Sequence, residues 1–438
     1  MDVRTFPVLT DEDEALVERL SVGTGENAAR VLAYLLCRLG DPDLDDAATR
    51  TAVHIGAGVS KNAAAAALDE LVAAELIAET TASTADPGRP PKAWHAVAPQ
   101  SETIRRTYAR HAERLLEQGE RTAAILETGP SESTATDGRD SASEAHAERP
   151  SAERSDHGRV SVALNWRSNA LHLPLFAARS ADESDVSLTF DEYDGSRAAT
   201  NAVASGDCDV GLAGAATILR ERARGQPIVP IAVCFQRSMV VLYTTRAAFG
   251  GPFERLEQLE GRRVGMRTGT ETELLGLLLL EQAGIRESVN LVDVGGEERS
   301  ALETGEVDAV TGMVPDPDRL DLAEQHVEVV AVSDAYPAYG PALITAEETL
   351  RQRRQRVASF LVATMAGWAN AVRATEAAAS EFATETDESP DQIARTFEAA
   401  VDRFGGDAVR RRGWGWHSPD DWRNLRDALA QGGIVADG

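Results

Sequence analysis

Trp166, Asn169 and His172 recur at three-residue intervals behind a short apolar run at 160–165 that reads as a buried strand. Pro174 then opens a helical apolar pattern through Leu175, Phe176 and Ala178. An indole, an amide and an imidazole gathered where a parallel strand hands over to a helix can stack on a flat heterocycle and fix its orientation by hydrogen bonds. Asn165 belongs to the same group, and Gly195 and Ser196, just after Asp194, are expected to face it across a cleft. A capped helix with an interfacial Trp and a satisfied His accounts for these residues equally well. Gly214, in Leu212-Ala213-Gly214-Ala215, stands at another strand end; either the amides of the next helix reach a ligand there, or the glycine only allows close packing.

A second group, Arg267-Thr268-Gly269-Thr270-Glu271-Thr272, sits between an expected strand and a helix N-terminus. Free backbone N–H groups, hydroxyls and a guanidinium would suit a phosphate or another anion, and Thr270 would serve equally as a plain N-cap.

Composition bounds the partners. The chain has 438 residues, enough for two or three domains, and its 43% hydrophobic content is that of a globular protein. No apolar run reaches the roughly 18 residues that a membrane span needs. No basic and then apolar leader opens the sequence, so the protein is expected to be cytoplasmic. Cys37, Cys208 and Cys234 are widely spaced, forming neither a metal nor a redox pattern. The net charge is −27, and of 44 basic residues only Lys61 and Lys92 are lysine. Acidity spread along the whole chain, with arginine over lysine, indicates adaptation to high salt, as in a halophilic archaeon, rather than a clue to the partner.

The elements that position these residues follow in chain order. Residues 10–40 read as an acidic start and then a helix, 47–53 as a short helix and 56–59 as a turn. Ser60 is placed as the N-cap of a further helix through Leu68, Leu71 and Val72, and strands are expected at 76–80 and 93–98. Helix, turn, helix and hairpin is the order of a winged helix-turn-helix, assigned to residues 1–100. The spacing predicts a long helix over 101–127 with Ile104, Tyr108, His111, Leu115, Gln118, Thr122 and Leu126 on one seam; it would serve for dimerisation or pack on its own domain. The stretch 128–158 has no large apolar or aromatic residue and is expected to be a disordered acidic linker that prevents direct rigid coupling.

From Arg159 strand and helix alternate, the pattern of a doubly wound α/β domain. Strands at 160–165, 186–193, 210–212, 228–234 and 239–244 are assigned to a first lobe. A second lobe begins at 256–259, and segments 327–332 and 341–345 are expected to return the chain to the first.

Residues 159–438 resemble the solute-binding proteins that deliver thiamine-pyrimidine precursors, and a related yeast pyrimidine-forming enzyme; nitrate- and sulfonate-type binding proteins belong to the wider group. The matching residues are Trp166-x-x-Asn169-x-x-His172, Asp194-Gly195-Ser196, Ala204-Ser205-Gly206-Asp207-x-Asp209-Val210-Gly211 and Gly415-Trp416-x-x-Pro419-x-x-Trp422. The resemblance implies a two-lobed type II periplasmic-binding fold that closes on its ligand, and it implies that Asp318 accepts bonds from an aminopyrimidine. The aromatic residue usual near Asp318 is missing. The yeast enzyme carries pyridoxal phosphate on a lysine. No lysine follows Lys92, so that Schiff base cannot form, and neither an enzyme nor a cofactor is expected.

The N-terminal segment resembles archaeal sugar-regulator and arsenic-repressor winged helices in Val59-Ser60-Lys61, Leu68-Asp69-Glu70-Leu71-Val72 and Gly88-Arg89-Pro90-Pro91-Lys92. The resemblance implies that the Ser60 helix enters the major groove while Arg89 and Lys92 touch phosphates. Lys61 and Asn62 are the side chains there able to read base edges. Against DNA stands the local charge, 16 acidic and 8 basic residues in 1–100. The resulting expectation is a homodimeric regulator that binds a double-stranded DNA operator and senses a thiamine-pathway pyrimidine or its phosphate. The second reading replaces that effector with an alkanesulfonate or nitrate-type anion. The third is a cytoplasmic carrier that delivers a thiamine precursor without binding DNA.

Overall fold

The structure, a computed structural model, describes residues 8–39, 44–82, 90–127, 158–181, 183, 186–314, 316–317 and 326–435. Arg89, Asp318 and all but the last residue of the expected linker 128–158 lie outside the described residues.

The N-terminal region is mostly helical. Where one helix is expected over 10–40 there are two, α1 (Glu14–Thr24) and α2 (Glu26–Leu39), broken at Gly25, whose φ of 85° ends α1. A two-residue strand, β1 (Ala48–Thr49), leads into α3 (Arg50–Gly56). Next come α4 (Lys61–Ala73), β2 (Ile77–Thr81) and β3 (Lys92–Ala96). The three strands form an antiparallel sheet in the order β1-β3-β2. Ser60 caps α4 as expected, its side chain accepting from Ala63 N. Val31, Leu32, Leu35, Val53, Leu68 and Leu71 are buried in the core of this unit, and Gly56 lies so close to the Tyr34 ring that any side chain would collide with it.

The long helix α5 (Gln100–Glu127) follows. Its expected seam is real: Ile104, Tyr108, His111, Leu115, Gln118 and Thr122 are all buried. The chain itself covers that seam.

The remaining strands form two sheets. The first-lobe sheet has the order β5-β4-β6-β13-β7. Its strands are β4 (Arg159–Leu164), β5 (Ser187–Glu192), β6 (Val210–Ala213), β7 (Ile228–Val233) and, much later, β13 (Ala342–Ala346). The second-lobe sheet has the order β10-β9-β11-β8-β12. It contains β8 (Val240–Thr245), β9 (Arg263–Met266), β10 (Asn290–Asp293), β11 (Ala309–Met313) and β12 (Val327–Ala331). In each sheet four strands run one way and a single strand, β13 in the first lobe and β8 in the second, runs antiparallel to both of its neighbours.

Two strand assignments differ from expectation. β8 belongs to the second lobe, held antiparallel between β11 and β12, and β12 stays there as well. Only β13 returns to the first lobe. The local residue pattern is the same in either sheet; the pairing partners, distant in sequence, decide membership. The two crossover segments bond to each other, through Ser238 N to Ala338 O and Gly340 N to Phe235 O.

Helices of the first lobe include α6 (Leu173–Ala177), α7 (Ser196–Ser205) and α8 (Ala215–Ala223). The second lobe adds α9 (Arg246–Phe249), α10 (Glu271–Gln282), α11 (Glu298–Glu303) and α12 (Val332–Ala335). The C-terminal part is helical, as expected: α13 (Glu347–Arg373), α14 (Thr375–Phe382), α15 (Pro390–Phe404), α16 (Asp407–Arg412) and α17 (Pro419–Gln431). No described helix is long and apolar enough to cross a membrane.

The expectation that the linker prevents rigid coupling is corrected here, because α5 packs on β7, α13 and α17 as well as on α1. Gly119, in the middle of α5, permits this approach: a Cβ there would stand 2.6 Å from Pro230 O on β7. The segment between α16 and α17 threads the same seam. Trp414 N donates to Val22 O of α1, and Trp414 O accepts from His111 Nε2 at 2.7 Å. Gln118 Nε2 donates to His417 O at 2.9 Å, and Arg426 on α17 donates to Ile125 O at 3.2 Å.

Candidate functional site

In the first lobe the expected residues come together at the carboxyl ends of β4 and β6. Asn165 and Trp166 leave β4. Asn169 caps the short turn Ala170–His172, its Oδ1 accepting from Leu171 N at 3.0 Å. His172 is 2% exposed. Its Nδ1 accepts from Asn169 N at 3.3 Å, leaving Nε2–H to donate to Asn165 Oδ1, also at 3.3 Å. That tautomer is the neutral ring, and burial pushes the His172 pKa down to about 4. Asn165 Nδ2 donates in turn to Ser196 Oγ at 3.4 Å, which accepts from Gly214 N at 3.1 Å. One chain of hydrogen bonds thus joins Asn169, His172, Asn165, Ser196 and Gly214. Gly195, at φ 96°, ends the loop ahead of α7 in a conformation that L side chains rarely adopt. His172 fixes the positions of its neighbours from within the wall. Trp166 is the member with an open face, 42% exposed.

From the second lobe, Arg267 reaches across. Its Nη2 bonds both oxygens of Asp194 at 2.9 and 3.1 Å, and its guanidinium stands 5.5 Å from the centroid of the Trp166 ring. Thr270 caps α10, accepting from Glu273 N at 3.3 Å. Thr268 N donates to Asp293 Oδ1 and Gly269 N to Glu273 Oε2, so the chain's own carboxylates hold these two amides. Glu271 crosses to the first lobe and accepts from Ala216 N, Thr217 N and Thr217 Oγ1 at the start of α8. Arg220, on α8, returns a bond to Gly269 O at 2.8 Å. The close-packing reading of Gly214 is what this arrangement shows, since a Cβ there would lie 2.2 Å from the Glu271 carboxyl carbon.

Asp194 and Glu271 join the site although the residue pattern around them does not single them out. A carboxylate beside Gly195-Ser196 and another one residue past the Thr270 cap carry a sequence signal only when the opposite lobe is known. Near the position expected for Asp318 the structure describes Asp316, whose Oδ2 accepts from Met313 N at 2.6 Å. Burial, and then the neighbouring Asp316 carboxylate, raise the pKa of Glu298.

The described residues expected to meet DNA belong to the N-terminal unit. Ser60, Lys61 and Asn62 open α4 and are exposed. Asp69 and Glu70, on the same helix, are exposed too. Lys92 begins β3 and pairs with Glu79 of β2 at 2.8 Å.

A family model described as "NMT1/THI5 like" matches residues 169–378. Among solved structures, the alkanesulfonate-binding protein SsuA of Xanthomonas axonopodis pv. citri, bound to MOPS, is similar at 15% identity and a TM-score of 0.50; the match covers 64% of this chain and 94% of that one. The periplasmic aliphatic sulphonate binding protein SsuA of Escherichia coli gives the same values. The CA3427 gene product of Candida albicans, with the generic periplasmic binding protein fold, is similar at 16% identity and a TM-score of 0.50, over 64% of this chain and 92% of that one. No curated protein matches the sequence. The C-terminal region therefore has the periplasmic-binding-protein fold, which it shares with two sulfonate-binding proteins.

Proposed function

We propose that the protein is a ligand-responsive, DNA-binding transcription regulator whose cleft senses a thiamine-pathway pyrimidine or its phosphate. The observation that carries this reading is the seam of α5, which joins the N-terminal unit and the ligand domain along one buried helix face. The order α2, β1, α3, turn, α4, β2, β3 supports a winged helix-turn-helix, with Ser60, Lys61 and Asn62 at the start of the recognition helix and Arg89 and Lys92 on the wing. Trp166, 42% exposed, together with the polar Asn165, Asn169 and Ser196 of the same strand-end region, supports a flat, hydrogen-bonding ligand.

A contact route would carry the signal without using the linker. Helix α17 packs on α10 of the second lobe and on α5. Tyr336, between the lobes, donates to Asn424 O at 2.9 Å, and Trp422 Nε1 donates to His417 Nδ1 at 3.1 Å. Movement of the second lobe would displace α17, and α17 would displace α5. A second reading keeps the regulator and takes an alkanesulfonate-type anion as ligand. It is favoured by Arg267 and by the fold shared with two sulfonate-binding proteins.

Thermal-shift measurements on the full chain in molar potassium chloride test the choice, since a ligand of the folded state raises Tm by mass action. Hydroxymethylpyrimidine or its phosphate should raise Tm, and Trp166→Ala should abolish that rise; a shift with taurine alone would select the second reading. Lys61→Ala should weaken operator binding and reduce its salt slope by about 1. An unchanged slope would remove Lys61 from the interface.

A further inference from the structure

The first turn of α8 is a ready cradle for an anion. Two amides, Ala216 N and Thr217 N, and the Thr217 hydroxyl converge at the positive end of a nine-residue helix, over a glycine whose missing side chain leaves room. The Glu271 carboxylate fills it, at 3.0 Å from Ala216 N and 2.7 Å from both Thr217 atoms. Glu271 comes from the opposite lobe, so the contact exists only with the cleft drawn together. The same substitution of carboxylate for ligand recurs around the cleft: Asp194 holds Arg267, Asp293 holds Thr268 N, and Glu273 holds Gly269 N. An entering anion would meet four carboxylates and would have to displace one at every donor.

We propose that Glu271 is a specificity-determining residue that denies the first-lobe cradle to anions, so that the part of the ligand facing α8 is uncharged. This rests on the ligand-binding reading of the cleft given above and narrows it. A sulfonate, sulfate or phosphoryl group placed over Gly214 would occupy the volume of the Glu271 carboxyl group. Arg267 could still take a phosphate after leaving Asp194, because it is not among the donors that Glu271 holds. Burial raises the pKa of Glu271 despite its three donors, as expected of a charge taken out of water.

The test compares the full chain with Glu271→Ala, using ethanesulfonate and inorganic sulfate as probes at constant ionic strength, by thermal shift and calorimetry. Glu271→Ala should gain saturable binding of both probes, at about tenfold or more over the wild type, the scale of a charge-assisted hydrogen-bond set. Glu271→Gln keeps the packing and should show a smaller gain in the same direction. If every folded variant stays silent, or if the wild type binds the probes as tightly as Glu271→Ala, the proposal is overturned. The probes contain no pyrimidine, so the two readings fail separately. Gained sulfonate binding in a protein deaf to pyrimidines would refute the ligand above and keep the role of Glu271.

Discussion

Two junctions hold this chain together, and they are built differently. Polar side chains close the cleft between the lobes: Arg267 on Asp194 with the latter carboxylate 72% exposed, and Glu271 on a helix end. The seam along α5 is dry. Trp414, Leu115, Leu116 and Tyr108 are at most 1% exposed there, and the polar His111, Thr122 and His417 are 0% exposed as well. A polar, partly wet junction is cheap to open and can be replaced by a ligand, whereas a dry one moves only as a unit. On this contrast the N-terminal unit and the first lobe should behave as one body, against which the second lobe is expected to move.

Truncation should expose this contrast most strongly. Trp414→Ala empties a site packed against Trp368 at 5.5 Å between ring centroids and should cost about 3–5 kcal/mol in urea unfolding. A loss below about 1 kcal/mol would mean that the seam is not the main joint.

Acid should act next, and on the seam. Burial lowers the pKa of His111 and of His417 to about 3 from the ordinary 6.5. Both rings are neutral in the folded chain, while in the unfolded chain they take up protons as pH falls through about 6.5. Their stabilising contribution is complete above that value and declines until the folded pKa is reached. At pH 5 the loss is roughly 2 kcal/mol per histidine. His111→Gln keeps a donor for Trp414 O and should remove about that much of the difference between unfolding at pH 7.5 and at pH 5. An unaltered pH dependence would show that His111 is not held neutral.

At the cleft the effect should be small. Arg267→Ala removes a partly exposed ion pair and should change stability by less than about 1 kcal/mol. It should nevertheless alter the ligand dose response, since the guanidinium stands 5.5 Å from the centroid of the Trp166 ring. A large stability loss with an unchanged dose response would reverse the roles given to the two junctions.

Much of this architecture is legible in the residue pattern, because caps and periodicity are local. Ser60 and Thr270 mark helix starts, and the seam of α5 is plain in its spacing. Sheet membership is not local, which is why β8 and β12 were expected in the wrong lobe. Gly119 gives α5 its close contact with β7, and nothing local in the sequence points to Pro230 as the partner. In the site, Trp166 and the Asn165–His172–Ser196 chain lie where the spacing placed them. Asp194 and Glu271 carry no local signal because their partners, Arg267 and the first turn of α8, come from the other lobe.

Contact through α5 joins the N-terminal unit to the ligand domain independently of the chain between residues 127 and 158. A protease site inserted near residue 140 and cut in the purified protein tests this directly, by size-exclusion chromatography of the cut chain at low micromolar concentration. The two fragments should elute together at the position of the intact protein. Separation into two species would show that only the covalent connection joins them, and the proposed signalling route would fall with the seam.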